Sequence, residues 1–181
     1  MERRVMLKLV AAGVLAPRVN AGPQHLVSIA PQAAYTLEFF TAPQNEVLDR
    51  LSDIIIPTDE HSPGAHEARV SHFMDVMLSE SPEDVRQAWR NGLVLVDEES
   101  KKQFRRPFLE LSRAEQEKIV ATMAANEKDP KSDLERFFAR VKQMTINGYY
   151  TSRIGIDQEL KYMGDRPLAE FPGCNHPEHQ Q

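Results

Sequence analysis

The chain has a single cysteine, Cys174, in 181 residues. Two-cysteine haem attachment, cysteine-held iron–sulfur clusters and zinc ribbons are thereby excluded within it. An excess of positive charge is also missing. Lys and Arg number 22 against 27 Asp and Glu, for a formal net charge of -5. Nucleic-acid binding runs on basic surface and is not expected. No GxGxxG follows a strand-like run, so no dinucleotide or flavin domain is read here. The phosphate-binding P-loop, the GxSxG elbow and the HExxH zinc signature are absent as well. Glycine is scarce, 8 against 12 prolines, which predicts helices separated by stiff connections.

What remains is ordinary globular material. Hydrophobic residues are 41% and charged residues 27%, enough apolar content for one domain that folds without a metal or disulfides.

The N-terminus reads as an address. Met1 to Lys8 is charged, with the adjacent pair Arg3-Arg4, and Leu9 to Ala16 is apolar. Pro17-Arg18 ends that run, too soon to span about 30 Å of hydrocarbon. Val19-Asn20-Ala21 offers compact residues for a signal peptidase, with cleavage expected before Gly22. Arg3-Arg4 with Leu7 and Lys8 resembles a twin-arginine export signal. It departs from the usual pattern at Glu2 and Met6. The competing reading is an amphipathic N-terminal helix of a cytosolic protein. Cleavage removes Arg3, Arg4, Lys8 and Arg18 against Glu2 alone, leaving a more acidic chain. Twin-arginine export carries folded cargo, used mainly when a cofactor is loaded before export. Yet no cofactor-holding motif is present, and a cofactor-bearing partner resolves the mismatch.

After an extended lead-in at 22–38, helical stretches follow, each with a start signal. Thr41-Ala-Pro-Gln44 is a capping box with proline in the first turn. Val47, Leu48, Leu51, Ile54 and Ile55 then recur at helical spacing until Pro57. Pro63-Gly64 opens a stretch with the stripe Val70, Phe73, Met74, Met77 and Leu78. Ser81-Pro82-Glu83-Asp84 leads into Val85, Trp89, Leu93 and Val96, its acids opposing the positive helix end. Ser112-Arg-Ala-Glu115 and Ser132-Asp-Leu-Glu135 are further capping boxes. The last leads into Phe137, Phe138, Val141, Met144 and Tyr149. No run alternates with period two. The expectation is an all-α fold, a compact helical domain over 39–153 with an irregular tail over 154–181.

Three features carry possible chemistry. Asp59-Glu60-His61 with His66-Glu67 and His72 reads either as a metal cluster or as a polar interhelical loop whose side chains bond to backbone. Cys174, followed by His176 and His179, reads as an intermolecular disulfide, a buried inert thiol, or a thiol or metal site. Tyr149, Tyr150 and Ser152, in Asn147-Gly-Tyr-Tyr-Thr-Ser152, read either as interface residues or as aromatic cover for a helix end.

Ile55-Ile-Pro-Thr-Asp-Glu-His-Ser-Pro-Gly-Ala65, Phe137-Phe138 running to Thr145-Ile-Asn-Gly-Tyr-Tyr-Thr-Ser152, and Phe171-Pro-Gly-Cys174 occur in this order behind the signal. Together they resemble the gluconate 2-dehydrogenase subunit 3 family, from about Phe39 to Cys174. The Pro-Thr-Asp-Glu-His-Ser-Pro-Gly run is the most specific part. The resemblance implies a helical subunit without a redox centre. It implies a partner, an FAD-containing catalytic subunit of the glucose–methanol–choline type that borrows this chain's signal. It often implies a multihaem cytochrome c subunit as well. It implies a periplasmic location, with membrane association only through partners. Cys174 is the implied site of a disulfide to the flavoprotein. Contacts, or loops that shape them, are expected at Asp59, Glu60, His61, Tyr149, Tyr150 and Ser152. Two rivals stand beside this reading: a stand-alone metal-dependent periplasmic enzyme and a structural periplasmic protein.

Overall fold

A computed structural model describes residues 35–162 and residue 164 of the chain. All the regular structure among these residues is helical, so the domain is all-α. Six α-helices and two short turns follow in order. They are α1 (Ala42–Ile55), α2 (Gly64–Glu67), α3 (Val70–Ser79), α4 (Glu83–Phe104), a 3₁₀ turn (Phe108–Glu110), α5 (Arg113–Met123), α6 (Asp133–Thr151) and a π-helical turn (Gly155–Glu159).

The expected start signals operate. Thr41 N–H donates to the Gln44 side chain at 3.0 Å at the head of α1. Ser112 N–H donates to Glu115 at 2.8 Å, and Ser132 N–H to Glu135 at 3.0 Å. Each box satisfies amide groups that the first helical turn leaves without partners. At the other end of α4, Arg105 takes a left-handed conformation, φ 61°, and its N–H reaches Lys101 O.

Helix α6 is the common wall of the domain, packing on α1, α3, α4 and α5. Its face of Phe137, Phe138, Val141, Thr145, Gly148 and Tyr149 is buried. Against α4, the Phe137 ring fills the space left by Gly92 and meets Trp89 edge-on at 5.5 Å. Against α1, the buried Ser52 and Thr145 hydroxyls lie 3.2 Å apart. Against α3, Gly148 admits Phe73 and Val70. Burial of each large side chain in this core contributes about 1.5–3 kcal/mol.

Four expectations shift. The stretch opened by Pro63-Gly64 is two helices, because Arg69 at φ 53° breaks it ahead of Val70. Val70, Met74 and Leu78, four apart, form the buried line of α3, while Met77 lies off it and is exposed. Val85 is exposed too, one turn before the buried Trp89. Helical structure also persists past Ile154: the Gly155–Glu159 turn sits on the end of α6 where an irregular tail was expected. Ahead of α1, Tyr35 and Glu38 are not helical and are hydrogen-bonded to α3, and Phe40 belongs to the core.

Candidate interaction site

The Asp59 loop joins α1 to α2 and is held by its own hydrogen bonds. Pro57 cannot continue α1. The Asp59 carboxylate accepts the N–H groups of His61 and Ser62, both at 2.7 Å. Asp59 N–H donates to Ser62 O at 2.8 Å, and the Thr58 hydroxyl donates to Pro63 O at 2.6 Å. Ala65 N–H closes the loop onto Ile56 O at 2.9 Å. Gly64 makes this closure possible. Its φ is +78°, and a Cβ there would sit 2.6 Å from Thr58 N. The His61 N–H, with Ser62 N–H behind it, holds the Asp59 carboxyl below its ordinary range.

Structural work by Asp59 leaves its neighbours facing outward. The Glu60 and His61 side chains are 88% and 76% exposed, with Glu60 Oε1 3.9 Å from His61 Nε2. Ser62 turns the other way. Its buried hydroxyl meets the Tyr149 hydroxyl on α6. Tyr149 is 1% exposed, and burial raises its pKa, with the charges of Glu159, Tyr150 and Asp59 adding to the effect. Of the expected tyrosine pair, Tyr149 therefore supports the loop from beneath. Tyr150, set edge-on to it at 5.2 Å, is the exposed member.

Ser152 ends α6. Its hydroxyl donates to Tyr149 O at 2.6 Å and accepts Gly155 N–H at 3.0 Å. Gly155 lies so close that a Cβ would be 2.1 Å from Tyr149 O. The π-helical turn is thus fitted against α6 by backbone contact, and Leu160 and Tyr162 follow it with more than half of their surfaces exposed.

The histidines expected near the loop do not converge. His66 Nδ1 is 2.7 Å from Asp49, and the His72 ring stacks on Tyr35 at 4.4 Å. Among the described residues no group of three or more His, Cys, Asp or Glu comes together as a metal site. Likewise, no described helix is long and apolar enough to cross a membrane. Arg3, Arg4 and Cys174, with His176 and His179, lie outside the described residues.

One buried acid escaped the sequence reading. Asp75 on α3 is fully buried and accepts the Tyr35 hydroxyl at 2.7 Å and the N–H groups of Glu38, Phe39 and Phe40 at 2.7, 3.1 and 2.7 Å. Its only signal was an acid set between Met74 and Val76.

No curated protein and no solved structure matches the chain significantly. A family profile does match it, over residues 42–167, the whole helical bundle and the Asp59 loop. That family is described as gluconate 2-dehydrogenase subunit 3. With most of its length matched, the chain belongs to the gluconate 2-dehydrogenase subunit 3 family.

Proposed function

We propose that this chain is the non-catalytic small subunit of an exported, flavin-dependent sugar or sugar-acid dehydrogenase. It binds the FAD-containing catalytic subunit, of the glucose–methanol–choline type, and supplies Arg3-Arg4 as the twin-arginine signal for both. The assembled enzyme works in the periplasm. FAD and the sugar pocket belong to the partner, and a cytochrome c subunit is the fitting electron acceptor. Cys174 is the proposed position of a disulfide to the flavoprotein.

The observation that carries the reading is the state of the Asp59 loop. The N–H groups of Asp59, His61, Ser62, Gly64 and Ala65 and the loop's one buried hydroxyl are engaged internally. What it turns outward is Glu60 and His61, on a fixed base. A prearranged loop loses little conformational freedom when a partner docks. Such a site suits recognition. Family membership supplies the class of partner.

The test is recovery of the tagged chain from the envelope fraction of its native cell under gentle conditions. A yellow complex with a large flavoprotein supports the reading. A band that separates only on reduction, and not in Cys174→Ser, supports the disulfide. A colourless lone monomer overturns the reading.

A further inference from the structure

We propose that Asp75 is a latch: its carboxylate straps Tyr35–Phe40 onto the folded domain, and this strap can open locally while the helices stay folded. The segment lies ahead of α1 and is not helical. Its consecutive N–H groups at 38, 39 and 40 need acceptors, and all three end on this one side chain. A carboxylate has about four acceptor positions. Asp75 uses them on these three amides and the Tyr35 hydroxyl.

The contacts around the latch come from α3 and α4 together. His72 of α3 stacks on Tyr35, and the Ser79 hydroxyl donates to Glu38 at 3.1 Å. From α4, the Arg90 guanidinium lies 4.6 Å over the Phe39 ring, and Trp89 faces Phe40 at 6.5 Å. The docking surface exists only when these two helices are assembled. The strap therefore closes on the folded domain and not on the separate helices. The strap's amides at 38–40 all rest on one side chain, whereas the core helices are held by many contacts. Release of the strap should leave the helices standing. This inference concerns the domain alone and does not depend on the export reading.

Hydrogen–deuterium exchange on the full chain tests it. Asp75→Asn keeps the side chain's shape but turns an NH₂ toward amide donors. Expected is exchange roughly tenfold or more faster at residues 38–40, with protection kept in α1, α4 and α6. Unchanged exchange at 38–40 overturns the latch. So does faster exchange in step with α4 and α6, which makes Asp75 a general core residue. Tyr35→Phe keeps the carboxylate and removes one donor. It should quicken the same amides, less strongly. If Asp75→Asn does not fold, Tyr35→Phe decides: no local acceleration overturns the proposal.

Discussion

The hydroxyls of Ser62 and Tyr149 meet in the interior, joining residues 87 apart in sequence. This pair ties the Asp59 loop to α6. The Ser62 hydroxyl also accepts Gly64 N–H at 3.2 Å, so one contact reaches both the loop and the start of α2. Tyr149→Phe keeps the ring and deletes the bond. The expected loss is about 0.5–1.5 kcal/mol, the net worth of one buried hydrogen bond. Urea denaturation measures it. An unchanged midpoint counts against the pair as a support.

Gly64 is the closure point of that loop. A methyl group at φ +78° would meet Thr58 N and Pro57 C at 2.6 and 2.7 Å, both backbone atoms. Backbone cannot turn aside as a side chain can. Gly64→Ala should cost about 3 kcal/mol or more, combining strain and collision. Gly164 provides the control. It has nearly the same φ, +79°, but among the described residues no atom lies within 4 Å of an added Cβ. Gly164→Ala should carry only the conformational cost, about 1 kcal/mol. Equal effects at the two glycines would refute the steric part of this account.

The legible and illegible parts of the molecule divide along local and long-range physics. The capping boxes at Thr41, Ser112 and Ser132 are written in four adjacent residues, and all three form. The Val47–Leu51 and Phe137–Val141 stripes have helical period and are buried. The Asp59 loop showed in its composition, and the backbone-bonding reading describes Asp59 itself. Three things depended on distant packing. Tyr149 falls on the buried stripe of α6, but that its hydroxyl meets Ser62 depends on a loop 87 residues earlier. Arg69 adopts a left-handed turn that its side chain does not advertise. Asp75 is an acid whose partners lie 35 to 40 residues earlier, beyond any local pattern.

Close approach of α4 and α6 rests on Gly92. An added Cβ would lie 2.0 Å from the Phe137 ring, itself buried and packed on Trp89. The ring has little free space to retreat into. Gly92→Ala should destabilise by about 1–3 kcal/mol, the usual range for overpacking, despite alanine's better helix propensity. Thermal denaturation monitored by tryptophan fluorescence checks this directly, since Trp89 is the chain's one tryptophan. A stabilised variant would mean that the helices part at no cost.

The strap predicts two acid-sensitive windows. Burial, with the Arg69 charge adding to it, lowers the pKa of His72 against the opposing pull of Asp49 and Asp75. The unfolded chain then takes up a proton near the ordinary histidine value of about 6.5, before the folded one does. Stability from this group is full above that pH and declines as pH falls through the lower folded value. Burial alone would raise the Asp75 pKa. The N–H groups of Glu38 and Phe40, the Tyr35 hydroxyl and the Phe39 N–H outweigh it and leave the carboxyl below its ordinary value. Its contribution is therefore present above about pH 4 and is lost as pH falls further, through the folded value. The exposed Asp59 and the half-buried Glu115 and Glu135 carboxyls are shifted in the same direction by their hydrogen bonds and share the lower window. Melting temperatures from pH 8 to pH 3 separate the two groups. His72→Gln should flatten the decline that starts near pH 6.5 and leave the lower one. Asp75→Asn should be less stable at neutral pH and show a shallower fall below pH 4. Parallel curves for Asp75→Asn and the natural chain would remove Asp75 from the acid response.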